Sequence, residues 1–285
     1  MRIRSSIRIV RLTAGPLLLL FAGTIALAQQ PQPAQTTNDV HARATETVVD
    51  SSIPDDQSVD KMLAAYAPRV RELDTLIGTL KGDLRKGGIG AGSLGNFVTD
   101  GLLAGARKKL GGSVVLAITN AGGLRKNAFS EGDLRVRDMF ELLPFENALV
   151  QFDLTGEQVL KLLGVVLSHR DAQSGARIKY RTGTDNKPEL VSACLLIDGL
   201  EKEIDPAAIY TVVSIDYLWK RVSTTPSETE GDYSVLGHAK KIQPIGLTMR
   251  DAMIDYVKSE TAAGRSIKTN LDGRFSRENS GEPRP

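Results

Sequence analysis

Apolar residues along this chain recur with two different periods, and the period changes at glycine and proline. After Asp56-Gln57-Ser58, Leu63, Tyr66, Val70, Leu73 and Ile77 follow at spacings of three and four. That spacing predicts a helix opened by Asp56, with Pro68 kinking it or ending its first part. Upstream, residues 45–49 suggest a short strand and residues 51–56 a turn. Gly87, Gly88, Gly90 and Gly92 make a flexible loop. A second helix is expected over residues 93–110, with Leu94, Phe97, Val98, Leu102 and Ala106 on its apolar face. Residues 113–118 are continuously apolar and predict a strand buried on both faces. A loop follows at 120–125, then a short helix at 136–142 that stops before Pro144. Residues 148–154 predict a strand, and Thr155-Gly156-Glu157 the start of a helix to about 167.

The second half changes character. Residues 178–181, 190–197 and 210–215 read as strands between turns, 224–232 as a polar loop, and 247–259 as a last helix. Helices and strands interleave, with antiparallel-looking runs late in the chain. The expected fold class is α+β, a single domain with a mixed β-sheet flanked by helices.

The first residues stand apart from this pattern. Arg2, Arg4, Arg8 and Arg11 precede an apolar run over residues 12–27, and Ala26-Leu27-Ala28 supplies the small residues of a cleavage site. The run is short of the ~20 residues a spanning helix needs. The expected organisation is a signal peptide at 1–28, a Gln- and Pro-rich linker at 29–43, one domain at 44–275, and a polar tail at 276–285. No cysteine follows the apolar run, which excludes a lipid anchor there. Localisation is expected to be periplasmic or secreted, with no membrane contact after cleavage.

Charge then matters only once the leader is set aside. The whole chain carries 36 basic and 34 acidic residues; losing four arginines leaves 32 against 34, a net charge of −2. Nothing in that balance favours nucleic acid. With 41% hydrophobic and 25% charged residues the chain is an ordinary soluble one. Cys194 is the sole cysteine, so no intramolecular disulfide forms, and its place in an apolar run reads as a buried strand position.

The chemistry concentrates between residues 120 and 154. Asn120-Ala121-Gly122-Gly123-Leu124-Arg125 follows a buried strand directly. Gly122 and Gly123 allow close backbone approach. Asn120 offers an amide that donates and accepts, and Arg125 a planar cation suited to phosphate. Phe145, just after Pro144, is an aromatic in a loop; alone it reads more readily as a core residue, but it can offer a face to a base. Tyr217 falls where a strand should end, and Gly231-Asp232-Tyr233 sets a carboxylate in a glycine turn. His41, His169 and His238 are scattered and fit no metal-ligand spacing. No nucleophile-elbow motif is present.

Taken in order, Gly95-Asn96, the Asn120–Arg125 run, Leu143-Pro144-Phe145, Leu154-Thr155-Gly156, the strand at Tyr210 and Gly231-Asp232 resemble the C-terminal domain of the 5'-nucleotidase family over about residues 45–260. In that family this domain holds the nucleotide, while a preceding domain hydrolyses it with two metal ions. The resemblance implies that Phe145 and Tyr217 stack on the base, about 7 Å apart across it. It implies that Asn120, Arg125 and Asp232 contact base, ribose or phosphate beside Gly122 and Gly123. Two departures stand out. Residues 88–92 replace the stretch where the family carries an arginine, the nearest cations being Arg85 and Lys86. Thr229-Glu230-Gly231-Asp232-Tyr233 replaces an Asn-Gly-Gly-Asp-Gly loop. The family's Gly-Asn-His motif is absent from this sequence, and its three histidines, His41, His169 and His238, stand far apart. The chain is therefore expected to have no catalytic or metal-binding residues of its own. It is expected to recognise a nucleotide or nucleoside for a separate exported metallophosphatase subunit that carries two divalent metal ions. The alternative is a stand-alone binding module outside the cytoplasm.

The leader gives the first test. Mass spectrometry of the exported protein should find a mature chain beginning at Gln29 or a close neighbour, and an intact Met1 on a cytoplasmic protein would refute it.

Overall fold

A computed structural model describes residues 44–224 and 233–278. Residues 44–54 belong to a unit of their own, an exposed stretch with one turn closed by Ile53 N–H to Asp50 O. The short strand expected at 45–49 is not formed; those residues are exposed coil with no partner strand to complete their hydrogen bonds.

In the second unit, from Asp55 onward, the expected first helix is broken in two, Gln57–Ala64 and Ala67–Glu72. Asp56 caps the first, its Oδ1 accepting from the Ser58 N–H at 2.7 Å. Pro68 sits in the first turn of the second, where its missing N–H costs nothing. Ile77 is not helical as its spacing suggested. It lies in the strand Leu76–Lys81, paired antiparallel with Gly132–Arg135 and parallel with Ile267–Lys268.

The centre is a five-stranded mixed sheet. In spatial order its strands are Lys241–Thr248, Ala148–Thr155, Ile209–Ile215, Val114–Thr119 and Ala172–Ser174. Ile209–Ile215 runs parallel to Val114–Thr119, and every other neighbouring pair is antiparallel. In Ala148–Thr155, the consecutive residues Leu149, Val150, Gln151 and Phe152 are all buried, so both faces of the sheet are covered. Helix Gly92–Leu110 packs against Val114–Thr119 and against helix Met249–Ala262. Gly101 and Gly105 permit that approach, since a Cβ at Gly105 would stand 2.9 Å from Ala252 Cβ. Helix Gly156–Ser168 packs against Ala148–Thr155 and is capped by Thr155 and Gln158 in a reciprocal box. The mixed sheet and its flanking helices are the α+β class the pattern predicted.

One property of this sheet positions everything that follows. Thr119 pairs with Ala172, Ile215 with Leu149, and Thr248 with Ala148. The C-termini of three strands and the N-termini of two therefore meet along one edge. Residues 120–125, 144–147, 171, 216–217 and 249–250 all leave the sheet there.

A second sheet, ordered Leu200–Glu203, Pro188–Ile197, Ala176–Thr182 and Phe275–Arg277, is built from the later part of the chain. Its last strand carries ordered structure past residue 275, so the polar tail expected from 276 begins inside a strand; residues 279–285 lie outside the described ones. Cys194 is half-buried in Pro188–Ile197, and burial together with Glu201 pushes its thiol up, in keeping with a structural residue. Among the described residues no helix is long and apolar enough to cross a membrane.

The C-terminal segment is tied down by ions. Buried Arg274 reaches Asp100 Oδ1 at 2.9 Å, Asp272 Oδ1 at 2.9 Å and the Gln173 carbonyl at 3.0 Å. Burial works against a charge on Asp272, but Arg274 and Arg177 outweigh it and hold the carboxyl down at about 2. An unfolded Asp binds its proton near 3.8, so Asp272 stabilises the fold above that pH. The contribution is lost as pH falls from 3.8 toward 2. Urea unfolding across that window should show a shallower pH dependence for Asp272→Asn than for the parent chain; equal slopes would refute the pairing.

Candidate functional site

The loop after Val114–Thr119 makes a tight turn at Ala121–Gly123, with Gly123 N–H donating to Asn120 O at 3.1 Å. A Cβ added at Gly123 would stand 3.2 Å from Asn120 Oδ1, and one at Gly122 would stand 3.4 Å from Asn120 Nδ2. The glycines thus leave room for the Asn120 amide. Asn120 Oδ1 is buried and has no hydrogen-bond partner among the described residues. Nothing there fixes which end of the amide is turned outward, so Asn120 can offer either a donor or an acceptor. The loop closes with Arg125 N–H donating to Leu142 O at 2.9 Å, which joins it to the end of helix Val136–Leu142.

Along the same edge, residues 144–147 lead into the strand Ala148–Thr155, and Met249 N–H donates to Asn147 O at 2.9 Å. Phe145 is not a core residue under the loop; half of it is open, at 50% exposure. Tyr217 does not close a strand. It lies in the first turn of a helix, Asp216–Thr224, where only a polar loop from 224 was anticipated. Asp216 begins that helix and accepts from Ala148 N–H at 3.1 Å and from Lys220 Nζ at 2.6 Å. The Tyr217 ring is also half open, at 46% exposure.

Asn120, Gly122, Gly123, Arg125, Phe145, Asn147 and Tyr217 together line one cleft of about 290 Å³. Six of the seven residues singled out from the sequence meet there. The seventh, Asp232, lies outside the described residues. The Arg125 guanidinium carbon stands 5.9 Å from the centre of the Phe145 ring, close enough for a weak cation–π contact. Arg125 forms no ion pair among the described residues, which leaves its charge available to an anion. Two larger depressions, of about 550 Å³ each, differ in this respect. Their arginines are already paired, Arg265 with Glu260 and Arg177 with Asp272, while Lys81 and Lys268 line the first and Lys179 the second. Of the two cations near the glycine-rich loop, Arg85 pairs with Asp83, whereas Lys86 Nζ donates to Leu124 O at 2.8 Å and so joins the Asn120–Arg125 loop.

Two residues escaped the sequence reading. Asn147 closes the cleft beside Phe145; its place in the Pro144-Phe145-Glu146-Asn147 run was the available signal. Asp171 had none. It is buried at 5% exposure, and its Oδ1 accepts from Ala121 N–H at 2.7 Å. Its Oδ2 accepts from the Tyr233 hydroxyl at 2.6 Å. Burial raises its carboxyl above the usual range, opposed by Tyr233, Ala121 and the charges of His169 and Lys86. Burial also pushes the Tyr233 phenol far up, with Asp171 adding to the effect. His169 stands 3.8 Å from Asp171 and edge-on to Tyr233, while the His238 ring meets the Ser234 carbonyl. Among the described residues no three His, Cys, Asp or Glu side chains stand together as a metal site would need.

Comparison with known proteins bears on this arrangement. The family model described as "5'-nucleotidase, C-terminal domain" matches residues 73–224. The trifunctional nucleotide phosphoesterase protein YfkN of Bacillus subtilis is 38% identical over 190 residues, 64% of this chain and 12% of that protein. A 5'-nucleotidase of Vibrio vulnificus is 24% identical over 62% of this chain and 31% of its own length. Among solved structures, the 5'-nucleotidase precursor of Thermus thermophilus superposes with a TM-score of 0.62 at 26% identity, covering 80% of this chain and 44% of that one. This chain therefore spans less than half of each of these relatives.

Asp171 is the residue on which the loop's position turns. Asp171→Ala should cost about 2–4 kcal/mol in urea unfolding, because it strands a backbone N–H and a buried phenol. Asp171→Asn keeps an acceptor for Ala121 and should recover part of that loss. A loss within about 0.5 kcal/mol for the alanine variant would show the contacts to be incidental.

Proposed function

Since this chain belongs to the 5'-nucleotidase C-terminal domain family, we propose that its cleft binds a nucleotide or nucleoside and serves as the substrate-recognition part of an exported 5'-nucleotidase-type phosphohydrolase. The observation that carries this reading is the pair of half-open aromatic rings, Phe145 and Tyr217, lining a cleft with Asn120 and with Arg125, whose charge no described carboxylate matches. Exposed aromatic faces cost solvation unless something flat covers them, and a base is the flattest common ligand. Stacking tolerates any base, so the rings supply affinity and the polar groups supply selection. The Asn120 amide and Asn147 can read a base edge or a ribose hydroxyl by hydrogen bonds. Arg125 suits a phosphate. Asp232 is proposed to complete the ribose or base contacts, since Tyr233 next to it is held by Asp171.

Hydrolysis is assigned to a separate chain. Two divalent ions on a metallophosphatase partner would activate water and neutralise the leaving oxygens. This chain's contribution is to fix the base and so orient the phosphate ester toward that partner, which converts binding into positioning. Export, which rests on the Arg-rich leader and Ala26-Leu27-Ala28, would place the pair on extracellular nucleotides.

Calorimetric titration with AMP and adenosine should show weak binding, and Phe145→Ala should lose roughly 1–3 kcal/mol of it. AMP hydrolysis should be negligible with this chain alone. It should rise when a metallophosphatase encoded beside it is added, and fall again with Arg125→Ala. Binding without any rise on mixing would support a stand-alone binding module. No binding at millimolar concentration would end the nucleotide reading.

A further inference from the structure

Phe145 poses a physical problem. An apolar ring at 50% exposure, in a loop that begins with the fully buried Leu142 and Leu143, should fold inward unless its backbone is held. The restraint comes from across the sheet edge. Arg250 lies in the first turn of helix Met249–Ala262 and is buried at 8% exposure. Its Nη1 donates to Leu143 O at 3.2 Å and to Pro144 O at 3.4 Å. Its Nη2 meets Glu146 Oε1 at 3.4 Å, and its guanidinium carbon sits 4.0 Å from the centre of the Phe140 ring. Burying a guanidinium is costly unless its donors are used. Here the protein acceptors lie on both sides of Phe145 in sequence, and the apolar face of the cation rests on the helix that precedes the loop. Glu146 is 84% exposed and contributes little screening. The fixed fork of arginine suits this bridging in a way that a lysine ammonium does not.

We propose that Arg250 is a positioning residue for the cleft: it clamps residues 143–146 so that the Phe145 ring is presented outward as a stacking face. The proposal rests on the reading of the cleft as a base-binding site. Cations also settle the free carbonyls after a helix, as after Val136–Leu142, and that role alone would change stability without touching the ligand. The two roles separate in a double-mutant cycle.

The experiment titrates the full chain with AMP into the millimolar range by NMR, for the parent, Arg250→Met, Phe145→Ala and the double variant. Backbone amide exchange of residues 143–147 is followed in parallel. Arg250→Lys is made alongside; it keeps the charge and should show the same pattern, smaller, if the methionine variant does not fold. The expected result is about tenfold weaker AMP binding for Arg250→Met, faster exchange confined to the loop, and almost no further loss when Phe145 is already Ala. Parent-like affinity in the Arg250 variants, or an equal loss in both Phe145 backgrounds, would overturn the proposal while leaving the base-binding reading intact. If the parent itself binds no AMP, that reading fails instead. The exchange data then decide the clamp by themselves: faster exchange supports it, and unchanged exchange overturns it.

Discussion

The arrangement depends on one buried carboxylate. Asp171 stands at the start of an edge strand and joins two elements that are far apart in sequence. One oxygen takes the N–H of Ala121 and the other the hydroxyl of Tyr233. A loop with two adjacent glycines has unusual freedom; its own turn bonds, Leu142 and Lys86 restrict it, and Asp171 adds a buried anchor. The chain closes that freedom by making a buried group depend on it. If the loop moves, a desolvated carboxylate loses its donors, a large penalty in a low-dielectric interior. The same carboxylate fixes the residue next to Asp232. The cost of this arrangement is that burial disfavours the charged form of the carboxyl and raises its pKa.

The second constraint is topological. Five strands of mixed direction end at one edge because two of them are antiparallel partners entered from that side. Loops far apart in sequence are thereby delivered to one place without any loop being long. Ligand sites on α/β sheets sit beyond strand ends for the same reason: the backbone there has left the ladder, and its side chains are free to face outward. Here the edge carries an amide, a cation and two aromatic rings, each on a different connection.

Charge is distributed with the same economy. The two larger depressions hold arginines already matched to carboxylates, and Arg274 with Asp100 and Asp272 locks the C-terminal strand to the body. Those pairs neutralise the arginines of both depressions, although Lys81, Lys268 and Lys179 also line them. At the cleft, Arg125 stands without an ion-pair partner among the described residues, whereas the charge of Lys86 bears on the buried Asp171 behind the loop.

Local signals were enough to predict the helices near 92–110, 136–142 and 156–168 and three of the five central strands, because period, capping residues and glycine punctuation are encoded within a few positions; Ala172–Ser174 and Lys241–Thr248 were not anticipated. The Asn120–Arg125 and Pro144–Phe145 segments were legible for the same reason. The sequence misplaced what depends on distant partners. Ile77 has helical spacing but lies in a strand, at the bulge between the Leu76–Arg135 and Gly78–Leu134 pairs. Residues 45–49 look like a strand but have no partner strand among the described residues. Tyr217 begins a helix because Asp216 is tied to Ala148, 68 residues away. Asp171 and Arg250 look like ordinary surface charges in one dimension. Only the folded sheet edge buries them, and a buried charge takes its meaning from groups that the chain brings together through space rather than through sequence.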